Sequence, residues 1–359
     1  DESAFEKSMR DTEGKYGGLG MVITMKDNRL YVVKIMDDSP AKEAGIQSED
    51  SFLRVNGKEV KGLDIQELAD LLRGYPETQV TLTLYRSSEK KEYTHTLKRR
   101  IILVNTVEYE SLENSIGYFK ISSFTKLTEK QLKKYLKQAK LEGVTGFILD
   151  LRGNPGGLLN QSVKVASHFL FKGRMVVYTQ GRSEDDYREY RSLYKDSLYK
   201  MPVVVLINQY SASASEIVAG ALRDSGNALL IGENSYGKGS VQTIFRVSDG
   251  SGVRLTTSKY YTPAGADITK NGISPEIEII NDLIKKEAFT VKRKSISSDT
   301  QLSLKASSLK KFFKKQGLEL NKTSDATVEL ARRILKNSHT ASKKRSMGKA
   351  REIAESINY

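Results

Sequence analysis

The chain has no cysteine, which excludes thiol catalysis, disulfide bridges and cysteine-based zinc sites. Histidine is nearly as scarce. His95, His168 and His339 are the only three in 359 residues, and none lies in a segment built to orient an imidazole against a serine and an acid. A catalytic metal is therefore not expected, and no feature of the sequence calls for a cofactor. His168 falls on the apolar stripe of a helical stretch and reads as a core residue. No run approaches the roughly twenty apolar residues that a helix needs to span a bilayer. The chain begins at Asp1 with neither a methionine nor a signal-like segment, which reads as a mature or trimmed form whose export signal has been removed or left out. Lack of cysteine also fits an oxidising compartment.

Against this background, one pairing stands out. Asn208 to Glu216 reads Asn-Gln-Tyr-Ser-Ala-Ser-Ala-Ser-Glu, and twenty-five residues after Ser213 come Gly237-Lys238-Gly239 and then Gln242. A serine hydroxyl is a poor nucleophile until a base takes its proton, and a lysine can be that base where apolar surroundings lower its pKa. The serine cluster lies between the β-branched run Pro202 to Ile207 and the helical pattern Ile217 to Leu222, so it occupies a strand-to-helix turn. Taken alone, Ser213 with Glu216 three residues later is a capping box that starts a helix. The same position puts a serine where backbone N–H groups and the helix dipole stabilise an oxyanion. Gly237-Lys238-Gly239 taken alone is a solvated turn, and the spacing of a phosphate loop is missing. Gln242 is suited to hold a lysine amine by a hydrogen bond without adding charge, whereas a carboxylate there would oppose the base role.

These segments resemble the C-terminal processing peptidases, or tail-specific proteases. The resemblance implies Ser213 as nucleophile, in preference to Ser211 and Ser215, with Lys238 as general base and Gln242 as its orienter. Asp224, eleven residues after Ser213, is read as structural support. Upstream, Gly146 to Leu151 reads as a buried strand running into Arg152-Gly153-Asn154-Pro155-Gly156-Gly157. On its own that is a turn. By the resemblance it supplies part of an oxyanion hole, the N–H of Gly156 or Gly157 joining that of Ala214. Gly18-Leu19-Gly20-Met21, Leu30 to Ile35, Ser39 to Ile46 and Phe52 to Gly57 together resemble a bacterial PDZ domain. Gly18, Leu19, Gly20 and Met21 would form the carboxylate-binding loop and Asp64 to Leu72 the helix beside the peptide groove. Arg73 is implied to couple groove occupancy to the alignment of Lys238 and Gln242, although an arginine capping a helix C-terminus is a plainer account.

Length allows two or three domains with substantial cores. The expected division is an N-terminal remnant (1–14), a PDZ domain (15–97), a serine protease core (98–281) and a basic helical region (282–359). Strands at 116–121, 146–151, 175–179 and 203–207 alternate with helices at 128–141 and 158–171, which argues for an α/β layered sheet. By resemblance the core is ClpP/crotonase-like, with the PDZ domain inserted near its start. The final region holds nineteen Lys and Arg against eight Asp and Glu, so it carries eleven of the chain's fourteen net positive charges. It shows amphipathic patterns around 309–315, 326–335 and 349–357, read first as a dimerisation or docking element, next as a plain solvated basic face, and last as a surface for anionic lipid or nucleic acid. No aromatic-interleaved motif points to nucleic acid, so none is expected as a partner.

The function implied is a serine endopeptidase that cleaves proteins recruited by their free C-termini, in the periplasm or another extracytoplasmic site. A homodimer or higher oligomer and an adaptor or activator protein are left open. So are two other readings: a catalytically silent PDZ scaffold of the same fold, and an acyl-CoA enzyme of crotonase architecture, which has no need of Ser213 with Lys238.

Overall fold

The computed structural model describes residues 12–248, 251–269, 271–280, 302–316, 318, 325–336 and 343–358. Most of the expected N-terminal remnant, and residues 282–301 of the basic region, lie outside the described residues. The chain divides into two compact units, one ending at Val104 and the other beginning at Asn105.

The first unit holds strands β1 (Lys15–Gly18), β2 (Met21–Lys26), β3 (Arg29–Ile35), β4 (Ser51–Val55), β5 (Lys58–Glu59), β6 (Gln79–Arg86), β7 (Lys91–Lys98) and β8 (Arg100–Leu103), with helices α1 (Pro40–Glu43) and α2 (Ile65–Leu72). Its main sheet has the order β2-β3-β4-β6-β7. The alternation Val80, Leu82, Leu84 along β6 faces Leu68 and Leu72 of α2 in one apolar cluster, where a period of two meets helical spacing. Helix α2 starts in a complete capping box: Glu67 N–H donates to Asp64 Oδ1 and Asp64 N–H to Glu67 Oε2, both at 2.8 Å, a device worth about 1 kcal/mol. Its C-terminal end is held by Arg99. That buried guanidinium donates to the carbonyls of Leu71 and Leu72 at 2.9 and 3.0 Å. Arg73 is the C-cap residue itself, its N–H donating to the Ala69 carbonyl at 3.0 Å, while the side-chain donors to the last carbonyls come from Arg99. The Arg73 guanidinium lies 3.9 Å from Asp70 and 5.2 Å over the ring of Tyr16. Because β8 returns to pair with β1, the unit continues past the expected boundary at 97.

The second unit is built on a seven-stranded sheet. In chain order the unit's strands are β9 (Val107–Leu112), β10 (Ile116–Ile121), β11 (Gly146–Asp150), β12 (Met175–Gln180), β13 (Arg188–Arg191), β14 (Val203–Ile207), β15 (Ala228–Gly232), β16 (Ser240–Arg246), β17 (Gly252–Tyr261), β18 (Ile277–Ile280) and β19 (Leu302–Lys305). The main sheet runs β19-β18-β15-β14-β11-β10-β9, parallel throughout except for β9. Every residue of β11, β14 and β15 is buried, as strands covered on both faces must be. Strand β12, which alternates with helices in the sequence, joins a separate antiparallel sheet of order β13-β12-β17-β16.

Successive residues of the central strands feed two cores. Phe147, Leu149, Val203, Val205 and Leu230 pack with helices α3 (Thr128–Leu141), α4 (Leu159–Ser167) and α5 (Ala214–Asp224). Ile148, Val204, Leu206, Leu229 and Ile231 pack with α6 (Ala306–Lys315), α7 (Ala326–Leu335) and α8 (Lys343–Asn358). The apolar stripes read as a dimerisation or docking element are therefore used inside the chain. Leu309, Phe313, Leu330 and Ile334 are wholly buried against the sheet, and Lys310, Lys311, Lys314 and Lys315 of α6 are left exposed on the outside of this layer.

Candidate active site

Strands β11, β14 and β15 are neighbours and run in parallel, so their C-terminal ends lie side by side. Such ends are where open α/β sheets place their ligands. From them lead the glycine turn (151–158), the serine turn (208–213) and the lysine loop (233–239).

In the serine turn the three serines have different fates. Ser211 and Ser215 are fully buried. Their hydroxyls donate to the carbonyls of Leu151 and Asn154 at 2.9 and 3.0 Å. Ser213 between them is partly exposed and adopts φ +54°, ψ −112°. A serine there is strained by about 1–3 kcal/mol, the cost of a sharp turn that presents its side chain outward at a helix N-terminus.

The glycine turn is stitched to the serine turn. Besides the two serine hydroxyls, Ala212 N–H donates to the Asn154 carbonyl at 3.0 Å and Gly153 N–H to Asn208 Oδ1 at 3.0 Å. Gly156 adopts φ +103°, and a Cβ on it would lie 2.8 Å from Ser213 Cβ and 3.0 Å from Ala214 N. Only glycine lets the turn come this close. Its N–H, however, donates to Asn154 Oδ1 at 2.8 Å. Among the described residues, the N–H groups of Gly157 and Ala214 have no acceptor. The two glycines left undecided by the sequence thus differ: one packs against Ser213, and the other offers a donor.

The lysine loop is anchored by a residue that the sequence presented only as a helix cap. Glu216 is fully buried. Its Oε2 accepts from Ser213 N–H at 2.8 Å and Lys238 N–H at 2.9 Å, and its Oε1 from Gly237 N–H at 2.7 Å and the Ser235 hydroxyl. One carboxylate oxygen therefore bridges the backbones of Ser213 and Lys238. Burial raises the Glu216 pKa above the usual glutamate value, with the accepted hydrogen bonds acting in the opposite sense. A further strut, Tyr236 N–H to the Ser211 carbonyl at 3.0 Å, fixes the same loop.

The side chains of this loop do not meet the expectation of an apolar enclosure. Lys238 is exposed, and so is Gln242 on β16 beside a shift in strand register. No hydrogen bond joins the two among the described residues. The clamp acts on the backbone of the loop, and Gly237 and Gly239 on either side give the lysine no apolar wall. Asp224 is structural: its carboxylate receives the Ala264 N–H at 3.0 Å and pairs with Arg223.

In the first unit, Gly18-Leu19-Gly20-Met21 forms the turn from β1 into β2. The Leu19 and Gly20 carbonyls accept from Ala41 and Met36 N–H at 3.0 and 2.9 Å, while their own N–H groups have no acceptor among the described residues. Strand β2 is at the edge of its sheet and packs beside α2. This geometry offers donors for a terminal carboxylate and an edge for an added strand.

Two family models match the chain: a PDZ domain over residues 31–86 and peptidase family S41 over residues 115–279. The carboxy-terminal-processing protease of Bartonella bacilliformis is 42% identical over 285 residues, covering 78% of this chain and 65% of that protein. The carboxy-terminal processing protease CtpA of Bacillus subtilis is 37% identical over 301 residues, covering 83% and 64%. The chain thus spans a little under two thirds of the length of these relatives. The solved photosystem II D1 C-terminal processing protease is 32% identical, with 77% of this chain and 76% of that chain covered and a TM-score of 0.48. With both models matched in the order PDZ then peptidase, the chain belongs to peptidase family S41, the C-terminal processing peptidases, and carries a PDZ domain.

Proposed function

We propose that this chain is a serine endopeptidase that cleaves proteins through an acyl-enzyme on Ser213. The amine of Lys238, in its neutral form, takes the hydroxyl proton as the Ser213 oxygen bonds to the scissile carbonyl carbon. The carbonyl oxygen gains the negative charge and is held by the N–H groups of Ala214 and Gly157, with Gly156 admitting the substrate carbonyl to the turn. The proton then passes to the leaving amine as the C–N bond breaks. Water, activated in the same way, releases the acyl product. The observation that carries this reading is Ser213 itself: the one unburied serine of three, strained at a helix N-terminus beside two unpaired donors.

Lys238 is exposed, and a bound substrate strand lying over it would exclude water from the site. Gln242 then holds the amine in line. Substrates are proteins with a free, apolar C-terminus, captured by the N–H groups of the Gly18 to Met21 turn and by strand addition to β2. Arg73 signals occupancy of that groove to Lys238 and Gln242. The core belongs to the ClpP/crotonase type, and the enzyme works in the periplasm or another extracytoplasmic compartment. The exposure of Lys238 and Gln242 also favours a second reading, in which the PDZ domain binds chain ends and no bond is cut.

Cleavage of casein by the wild type, Ser213→Ala and Lys238→Ala, with and without apolar C-terminal peptides, separates the two. Cutting by the wild type alone supports the peptidase. Peptide binding with no cutting in any condition supports the scaffold.

A further inference from the structure

We propose that Asp325, which lies in the basic C-terminal region beyond the matched peptidase segment, is a positioning residue for the oxyanion-binding turn. The proposal rests on the peptidase reading above and adds a residue to it.

Arg152 is the second residue after β11, at the start of the turn that ends in Gly156 and Gly157. Its backbone N–H and Nε both donate to Asp150 Oδ1 at 2.9 Å, and its Nη2 to Asp150 Oδ2 at 2.5 Å. Tyr118 completes the shell of that buried carboxylate, its hydroxyl donating to Oδ2 at 2.8 Å. These partners are on the sheet itself. The remaining arm of the guanidinium, Nη1, reaches 173 positions along the chain to Asp325 Oδ2 at 2.6 Å.

Asp325 is not a loose surface side chain. Its other oxygen accepts from the N–H groups of Thr327 and Val328, both at 2.9 Å, and so caps α7. The apolar face of α7, Val328, Leu330, Ala331, Ile334 and Leu335, is buried on the sheet. The helix thus holds Asp325, Asp325 holds the guanidinium, and the guanidinium holds the first residues of the turn. From there the backbone passes to Gly153, bonded to Asn208, and to Asn154, whose carbonyl takes Ala212 N–H and the Ser215 hydroxyl. One tie at the start of the turn therefore bears on both unpaired donors, Gly157 N–H within the turn and Ala214 N–H across it. Small displacements of such donors are costly because their stabilisation is specific to the charged oxygen of the transition state.

Asp325→Asn isolates the tie. Asparagine caps helices as well as aspartate does, so Oδ1 can go on serving α7, while the amide turned to Arg152 presents a donor to a donor. In full-length protein, kcat and KM on an apolar-ended peptide, the inhibition constant of the matching peptide aldehyde, and the thermal midpoint should be compared with wild type. An aldehyde forms a tetrahedral adduct on a serine and probes the oxyanion donors. The expected result is about a tenfold fall in kcat and about a tenfold weaker aldehyde, with KM and midpoint nearly unchanged. Unchanged kcat and aldehyde affinity would overturn the proposal, as would losses that only follow a lowered midpoint. Should the wild type neither cut peptide nor bind aldehyde, the peptidase reading falls. Amide hydrogen exchange over 151–158 then decides the tie: faster exchange in Asp325→Asn, with α7 unaltered, upholds it, and identical exchange removes it.

Discussion

Gly156 carries one of the tightest demands in the site. At φ +103°, with Ser213 Cβ and the Ala212 carbonyl within 2.8 Å of where a side chain would begin, Gly156→Ala must shift the serine turn or the glycine turn. We expect at least a hundredfold loss of kcat/KM with a stability cost of about 1–3 kcal/mol, checked by steady-state kinetics beside a urea titration. Glu216 gives a pH signature. All four of its accepted bonds use the ionised carboxylate, and protonation would turn one acceptor into a donor facing donors. Because burial raises its pKa, the clamp should weaken at a higher pH than an ordinary glutamate titrates, near 4.3. Below the Glu216 pKa, log kcat/KM should fall more steeply with pH, and Glu216→Gln should remove that added steepness while lowering the plateau. Much of this was legible in the sequence: the spacing of Ser213, Lys238 and Gln242 and the run of glycines suffice to propose the chemistry. The clamp was not, because a glutamate three residues after a serine looks the same whether it caps a helix or ties down a distant loop. Nor was the choice between Gly156 and Gly157, which depends on where the Asn154 side chain points.

Helices α3 and α4 are joined by a buried polar contact that the reading of His168 as a plain core residue did not anticipate. His168 Nε2 lies 3.0 Å from Glu129 Oε1, and the same oxygen accepts from the Tyr194 hydroxyl at 3.1 Å. Burial lowers the His168 pKa, with Glu129 opposing that shift only in part. As pH falls below about 6.5, the unfolded chain takes up this proton before the folded one does. The contribution of this group to stability is therefore full above that pH and is lost as the pH drops toward the folded value. Between about pH 7.5 and 5.5 the wild type should lose more stability than His168→Gln, measured as the shift in urea midpoint; an equal shift would show that folding leaves the proton affinity of the ring unchanged. At this scale the strands were readable because doubly covered strands leave unbroken apolar runs. Sheet membership was not, since β12 looks like its neighbours in sequence yet pairs in the other sheet. The side-chain cap supplied by Arg99 was hidden for a similar reason, its partners being 27 and 28 residues away.

For the molecule as a whole, the C-terminal helices form a structural layer. Ending the chain at residue 301 would uncover Ile148, Val204, Leu206, Leu229 and Ile231. At about 1.5–3 kcal/mol for each such side chain, this loss is comparable to the ~5–15 kcal/mol by which domains are usually stable. The truncated chain should be insoluble or rapidly proteolysed, and a cooperative, soluble unfolding transition would argue that the layer is dispensable. The eleven-charge excess of the region masked this role, because composition reports the outer face of a helix and its apolar spacing does not say which surface it meets. The claim on which the rest depends is covalent chemistry at Ser213. Mixing the protein with an apolar-ended peptide, quenching in acid within a turnover and mapping the acyl group by mass spectrometry tests it most directly. The account predicts the acyl group on Ser213 in the wild type and none in Lys238→Ala. Peptide cleavage without an acyl group on Ser213, or with one on Ser211 or Ser215, would contradict it.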